Sequence, residues 1–156
     1  MAETRGLELK IPPMIVLIIA GVLMWLVARV TPQLIVLYPA RGVLTVLLAV
    51  LGVVAVYGGL REFRKASTTV HPQRPGEASN VVTTGIYRFT RNPMYLGMLL
   101  ALLAWLVYLA NIAAAVVPIA FVVYITRYQI HPEERTLAAK FGAPYELYLR
   151  SVRRWI

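Results

Sequence analysis

Long runs without a charged residue constrain this chain more than any other feature. Residues 11–28, 42–60 and 92–126 are uncharged, which gives runs of 18, 19 and 35 residues. A water-soluble fold of 156 residues rarely excludes charge from such lengths. Hydrophobic residues make up 59% of the sequence, against roughly 45–50% in an ordinary soluble domain. The pattern predicts a membrane protein and excludes an intrinsically disordered chain, which needs low hydrophobicity.

The three runs predict four membrane spans. A spanning helix needs about 20 apolar residues, so residues 11–28 and 42–60 each suit one crossing. The third run is too long for one crossing, and Asn111 lies near its middle. It therefore predicts a helical hairpin of residues 93–110 and 112–126. We expect an all-α integral membrane protein that forms a single domain over the whole chain, with further helices at the membrane interface near the C-terminus.

A cleaved signal peptide is the alternative for the first run. A signal peptide has a positive N-terminus, a shorter apolar stretch and a cleavage site of small residues. Here the apolar stretch is long, no Ala-x-Ala-like site follows it, and Glu3 and Glu8 dilute the positive charge. The sequence favours a membrane span.

The distribution of basic residues predicts the orientation. With four spans, the N-terminus, segment 61–92 and segment 127–156 share one side of the membrane, and they carry two, six and six Lys or Arg residues. The other side carries only Arg29 and Arg41. Basic residues collect in cytoplasmic loops, so both termini and both polar segments are expected in the cytoplasm. Membrane lipids with anionic headgroups explain the net charge of +9 more simply than nucleic acid, for which no motif is present.

The composition also excludes several kinds of site. The chain has no cysteine, and all seven acidic residues are Glu, so it has no disulfide, no cysteine–zinc site and no Ser-His-Asp triad. His71 and His131 are 60 residues apart and, as a metal pair, lack the remaining ligands, so we expect no metal. The cluster Ser67–Pro75 predicts a loop. Gly58–Gly59 indicates helix packing, since no phosphate-binding Gly-x-x-x-x-Gly-Lys loop is present.

The first polar segment ends in a potential anion site. Asn92 is a favourable N-cap and Pro93 suits the first helical position, so the third span is predicted to begin at Pro93. Free N–H groups and the positive end of the helix dipole then face the segment, and Arg91 adds a forked donor beside them. The alternative is that Arg88 and Arg91 reach lipid headgroups while the neighbouring Tyr87 and Tyr95 form an aromatic belt.

The second polar segment predicts two short helices. Pro132 suits a first helical position, and Glu133 and Glu134 would lie in the first turn, where the dipole favours acidic residues. Gly142 is expected to end this helix, and a shorter helix carrying Tyr145, Tyr148 and Val152 would follow it. The alternative for the two glutamates is that they only cap the helix and pair with a nearby arginine, Arg127 or Arg135.

These segments resemble the integral-membrane methyltransferases of the isoprenylcysteine carboxyl methyltransferase and phospholipid methyltransferase group. The resemblance covers about residues 68–155 and rests on two motifs separated by an apolar hairpin. The first motif is Gly85, Tyr87, Arg88, Arg91, Asn92, Pro93, Tyr95 and Gly97. The second is Glu133, Glu134, Leu137, Phe141, Gly142, Tyr145 and Tyr148.

The resemblance implies S-adenosylmethionine as the methyl donor and a helical fold without a glycine-rich nucleotide loop. It places the cofactor in a cytoplasmic pocket. The implied cofactor-binding residues are Asn80, Val81, Val82, Tyr87, Asn92, Pro93, Met94, Tyr95, Glu133 and Glu134. The residues expected to act on the reactants are Arg91 and Glu133, which would position them, and Tyr95, which would shape the pocket.

Two departures from the family pattern concern the methyl acceptor. Members that act on prenylcysteine usually have His where Asn92 stands, and they carry an Arg where this chain has Gln129, with Arg127 nearby. A carboxylate acceptor is therefore less well supported than the cofactor. We expect an apolar or lipid-like acceptor with a carboxylate, amine or thiol. A non-enzymatic transport subunit or lipid-binding scaffold is the alternative, but no predicted span contains the ionisable residue that a transport pathway usually needs.

Overall fold

The computed structural model describes residues 8–66, 76 and 78–156. This part of the chain is helical and contains no strand, only an isolated bridge between Ile35 and Asn111. Its α-helices are α1 (Pro13–Val30), α2 (Arg41–Lys65), α3 (Pro93–Leu109), α4 (Val116–Ile125), α5 (His131–Phe141) and α6 (Ala143–Ser151). The predicted all-α fold is confirmed. The predicted loop Ser67–Pro75 and His71 lie outside the described residues.

Three helices are long and apolar enough to cross a membrane. They are α1 with 18 residues, α2 with 25 residues and the continuous 29-residue helix Ala113–Phe141, which contains α4 and α5. The remaining apolar helix, α3, has 17 residues, about 26 Å at roughly 1.5 Å per residue. Many large apolar side chains of α1 and α2 are exposed, Val43 to 75%, as expected for helices that face lipid. The number of four spans stays a prediction.

The predicted hairpin between the third and fourth apolar helices is confirmed, and Asn111 forms its turn. Ala110 ends α3 with a left-handed backbone, at φ 53°. The buried Asn111 side chain donates from Nδ2 to the Thr31 carbonyl at 2.8 Å and accepts from the Ala114 N–H at 3.2 Å. Asn111 therefore caps the next helix and ties the hairpin to the end of α1.

Close packing of α2 on α3 depends on glycines in both helices. A Cβ atom on Gly97 would lie 2.5 Å from Val56 Cγ2 and 2.7 Å from the Gly52 carbonyl oxygen. Such distances leave no room for a methyl group, so the two helix backbones approach as closely as small residues allow. Gly59, near the end of α2, packs in the same way against Pro93, since its Cβ would lie 3.1 Å from Pro93 Cγ. This confirms packing as the role of the Gly58–Gly59 pair.

The helix from Ala113 to Phe141 contains a π-turn where a break was predicted. Pro132 occupies the first turn of α5 as expected, but Ile130 before it is helical, and the π-turn Thr126–Ile130 joins α4 to α5. A proline inside an α-helix removes one N–H and crowds the carbonyl four residues earlier. The wider π-turn accommodates that proline. Gly142, with φ 61° and ψ −138°, ends α5 as predicted.

Replacement of Gly97 by alanine tests the α2–α3 contact. The added methyl group would collide with Val56 and the Gly52 backbone, so we expect Gly97→Ala to lower the free energy of unfolding by about 1–3 kcal/mol. The measurement is thermal or denaturant unfolding of the purified protein in detergent micelles.

Gly21→Ala is the matched control. A Cβ atom at Gly21, also inside an apolar helix, would meet nothing within 4 Å, and alanine has the higher helix propensity. The control should unfold at the wild-type temperature or slightly above it. Equal behaviour of the two variants would contradict the close contact of α2 with α3.

Candidate functional site

One cavity brings the two polar segments together. Its empty space is about 860 Å³ including the open mouth. Every residue that the sequence predicted for the cofactor or the reactants lines it: Asn80, Val81, Val82, Tyr87, Arg91, Asn92, Pro93, Met94, Tyr95, Glu133 and Glu134. Lining residues that sequence reasoning did not assign to the pocket are Phe63, Ala78, Leu137, Tyr145 and Tyr148.

An ion cluster around Glu134 forms one wall of the cavity. Arg91 Nη2 lies 3.1 Å from Glu134 Oε1, and Arg154 donates to both carboxylate oxygens at 3.1 and 2.8 Å. The hydrogen bonds to Glu134 raise the pKa of Arg154. Glu134 thus pairs with two arginines, but neither is the predicted Arg127 or Arg135. The role of Arg154 was missed, since nothing in the sequence marks a partner 20 residues from Glu134.

Arg91 is positioned by the C-terminal part of the chain. Its Nη1 donates to the Leu149 carbonyl at 3.0 Å, and its backbone N–H donates to the Arg153 carbonyl at 3.0 Å. The side chain is only 10% exposed, so it does not extend to lipid headgroups. Its Nε is buried and has no hydrogen-bond partner among the described residues. Arg91 therefore lines the cavity with one of its donors unsatisfied by the described residues.

Asn92 precedes α3 as predicted but does not cap the helix with its side chain. Its Nδ2 donates to the Arg154 carbonyl at 2.9 Å, and no side-chain hydrogen bond reaches the first turn of α3. The expectation of a side-chain cap was therefore wrong, because the C-terminal segment binds the amide instead. Pro93 begins α3 as predicted, and the positive end of that helix lies at the cavity wall.

Tyr95 and Glu133 form a hydrogen-bonded pair inside the cavity. The Tyr95 hydroxyl donates to Glu133 Oε1, and Tyr95 is 5% exposed. Adjacent helical residues point about 100° apart, which explains why Glu133 binds a tyrosine while Glu134 binds arginines. The two glutamates therefore have different partners. Glu133 takes no part in the ion cluster around Glu134.

Tyrosines from two segments pack beside the cavity. Tyr87 lies edge-on to Phe63 with ring centroids 5.5 Å apart, and Tyr148 donates from its hydroxyl to the Tyr87 carbonyl at 2.8 Å. Burial raises the pKa of Tyr87, Tyr145 and Tyr148 above the usual range. These phenols therefore remain hydrogen-bond donors at any physiological pH. Tyr87, at 5% exposed, is a core residue and not part of an aromatic belt.

A glycine turn at Gly85 leads the chain into the cavity. Gly85 has φ +59°, and a Cβ atom there would lie 2.6 Å from Glu62 Cδ. Glu62, 6% exposed near the end of α2, accepts from Thr84 Oγ1 at 2.6 Å and from Lys65 Nζ at 2.8 Å. Glu62 therefore holds the turn that places Tyr87. Sequence reasoning missed it because Glu62 stands among four charged residues of an ordinary helix end.

The residues discussed for a carboxylate acceptor do not line the cavity. Gln129 is fully buried, and its Nε2 donates to the Ile11 carbonyl at 2.7 Å. Arg127 is exposed and is absent from the cavity wall. Among the described residues, no group of three or more His, Asp or Glu side chains is arranged to hold a metal ion.

Comparison with known proteins agrees with this arrangement. The sequence matches the phospholipid methyltransferase family over residues 40–144, which include α2, α3, α4, α5 and most of the cavity wall. The chain belongs to the phospholipid methyltransferase family. It is also similar to an uncharacterized protein of Haemophilus influenzae, with 46% identity over 63 residues, which are 40% of this chain and all of that relative. No solved structure gives a significant match.

Membership in this family makes the chain an enzyme of the methyltransferase kind, and the apolar helices make it an integral membrane protein. The resemblance drawn from the two motifs is confirmed at the level of the family. The matched region ends at residue 144, before Leu149, Arg153 and Arg154, which hold Arg91 and Asn92 in place.

Replacement of Gly85 by alanine tests the turn that positions Tyr87. The variant would combine a left-handed backbone that alanine rarely adopts with a collision against Glu62, so we expect Gly85→Ala to destabilise the protein by about 2–4 kcal/mol. Unfolding in detergent micelles measures the loss. Gly76→Ala is the control, since its Cβ would make an ordinary 3.8 Å contact with Thr136. A Gly85→Ala variant as stable as Gly76→Ala would contradict the turn.

Proposed function

We propose that this protein transfers a methyl group from S-adenosylmethionine to an apolar or lipid-like acceptor at the cytoplasmic face of the membrane. The observation that carries the proposal is the cavity. Two polar segments, separated by an apolar hairpin in the sequence, meet in one pocket of a chain from a methyltransferase family.

The chemistry of the cavity wall suits S-adenosylmethionine. The cofactor has a carboxylate, for which the Arg91 guanidinium and the N-terminus of α3, both at the cavity wall, are donors. Its ammonium, ribose hydroxyls and adenine amine are donors, for which Glu133 is the acceptor that the ion cluster leaves open. Tyr87 and Phe63 offer aromatic surface for the adenine. The side chains therefore match both the acidic and the basic ends of the molecule.

The protein's contribution to the reaction is alignment and exclusion of water. S-adenosylmethionine would supply a methyl group already activated as a sulfonium, for an in-line displacement by the acceptor. Arg91 and Glu133 would fix the donor, and Tyr95 would set the shape of the pocket beside the apolar core. Orientation of this kind accounts for a large part of the rate in such reactions. A general base is needed only where the acceptor arrives protonated.

The wall of the cavity bears on the class of acceptor. Arg91 is the only arginine among the described residues that line the cavity. It is assigned to binding of S-adenosylmethionine, the methyl donor. With Gln129 and Arg127 absent from the wall, an amine or thiol acceptor is better supported than a carboxylate. The exposed apolar surfaces of α1 and α2 suit an acceptor that resides in the bilayer.

The cytoplasmic location follows from charge. Both polar segments contribute to a single cavity, so they share one side of the membrane. That side carries most of the basic residues, which predicts the cytoplasm for the cavity and for both termini.

Binding of S-adenosylmethionine to purified protein in micelles, measured by titration calorimetry, tests the proposal. We expect Glu133→Gln to weaken binding roughly tenfold or more, because it replaces the carboxyl group that would accept from the cofactor with an amide. Arg91→Ala should weaken it at least as much, since it also leaves Glu134 with one arginine fewer.

Matched controls are Glu146→Gln and Arg88→Ala, which alter the same residue types at exposed positions outside the cavity. Both controls should bind as the wild type does. Absence of binding by the wild type would reject the cofactor. If the Glu133→Gln variant and the Arg91→Ala variant each bind S-adenosylmethionine as tightly as the wild type, the assignment of these residues to the site is rejected.

A further inference from the structure

The π-turn Thr126–Ile130 changes which face of the helix meets the cavity. The buried stripe of the preceding helix is Ala114, Pro118, Phe121 and Ile125. An uninterrupted α-helix would continue this stripe through Gln129, Pro132 and Thr136. One extra residue in the π-turn rotates the following helix by about 100°, so Ile130, Glu133 and Leu137 take the positions that those three residues would occupy, while Gln129 and Pro132 remain buried. Glu133 and Leu137 line the cavity, and they do so because of this turn.

Residues 8–12, which we call the strap, bind the π-turn from outside the cavity. The Leu9 N–H donates to the Tyr128 carbonyl at 3.0 Å. Tyr128 is the residue whose carbonyl loses its α-helical donor, because Pro132 has no N–H. Leu9 adopts φ 56°, a conformation that non-glycine residues rarely hold without tertiary support. The strap therefore supplies the hydrogen bond that the proline removes.

Two further contacts fix the strap on either side of Glu133. Gln129 Nε2 donates to the Ile11 carbonyl at 2.7 Å, and Arg135 Nη2 pairs with Glu8 at 2.6 Å. Gln129 is fully buried, yet its Oε1 has no donor among the described residues. A buried acceptor without a donor costs free energy. The donation of Nε2 to the Ile11 carbonyl is the contact that offsets this cost.

We propose that the strap holds the π-turn in register and thereby aims Glu133 into the cavity, with Gln129 as the positioning residue. Gln129 acts through Glu133 and touches neither cofactor nor acceptor. The position where related enzymes carry an arginine toward the substrate thus has a structural task in this chain. The effect on ligand binding rests on the proposed function, while the effect on the turn does not.

Hydrogen exchange of the full-length protein in micelles tests the strap without any ligand. Gln129→Met keeps the size of the side chain and removes the donor. We expect amides of residues 128–135 to exchange roughly tenfold faster, which corresponds to the loss of one buried hydrogen bond. Exchange in α2 and at the hairpin turn should not change. Gln33→Met, at an exposed residue at the other end of the bundle, should have no effect on residues 128–135.

Glu8→Gln is the second variant, because it lies outside the apolar core and weakens the pair with Arg135. It should accelerate exchange in the same residues by a smaller factor. Unchanged exchange of residues 128–135 in both variants would overturn the proposal. So would acceleration spread evenly over all helices, which indicates general destabilisation.

A double-mutant cycle between Gln129→Met and Glu133→Gln tests the aiming of Glu133. Affinity for S-adenosylhomocysteine is measured for the wild type, both single variants and the double variant. If the strap acts through Glu133, then Glu133→Gln loses most of its effect in the Gln129→Met background, below about threefold against roughly tenfold alone. Additive effects would overturn the positioning role. A wild type that binds no ligand would reject the proposed function. The exchange measurement would still show whether the strap holds the π-turn in register.

Discussion

Glu134 joins the three segments from which the cavity is built. It lies in α5, and its carboxylate binds Arg91, which precedes α3, and Arg154, which follows α6. Its side chain is only 13% exposed, so each charge needs the others to offset its desolvation. Hydrogen bonds from the Arg91 backbone and from the Asn92 and Thr90 side chains to the carbonyls of Arg153 and Arg154 connect the same segments. The cluster and these hydrogen bonds together hold the start of α3 against the C-terminal segment.

The remaining architecture gives that cluster a rigid base. Gly97 and Gly52 let the backbones of α2 and α3 come into direct contact. Glu62, near the end of α2, then fixes the turn that carries Tyr87. Asn111 closes the opposite end of the bundle. The π-turn rotates Glu133 toward Tyr95. Each polar side chain of the cavity is therefore positioned by a contact that lies outside it.

Much of this arrangement was predictable, and the failures have physical causes. Charge-free runs located the apolar helices, Asn111 located the hairpin, and the family resemblance named eleven residues that line one cavity. Neither the π-turn nor the strap was predicted. Pro132 is typical of the first turn of a new helix, and a π-turn is too short to leave a periodic pattern in the sequence. Arg154 and Glu62 were missed since their partners are distant in sequence. The Asn92 side chain was misassigned because a local capping preference lost to a tertiary acceptor.

The central claim is that segments 78–95 and 131–149 together bind S-adenosylmethionine. Ultraviolet crosslinking of the cofactor with a labelled adenine to purified protein, followed by peptide mapping, tests it most directly. The account predicts label in both segments, with none at the hairpin turn around Asn111, and competition by S-adenosylhomocysteine. Label confined to one segment, or label elsewhere in the chain that the competitor removes, would contradict it.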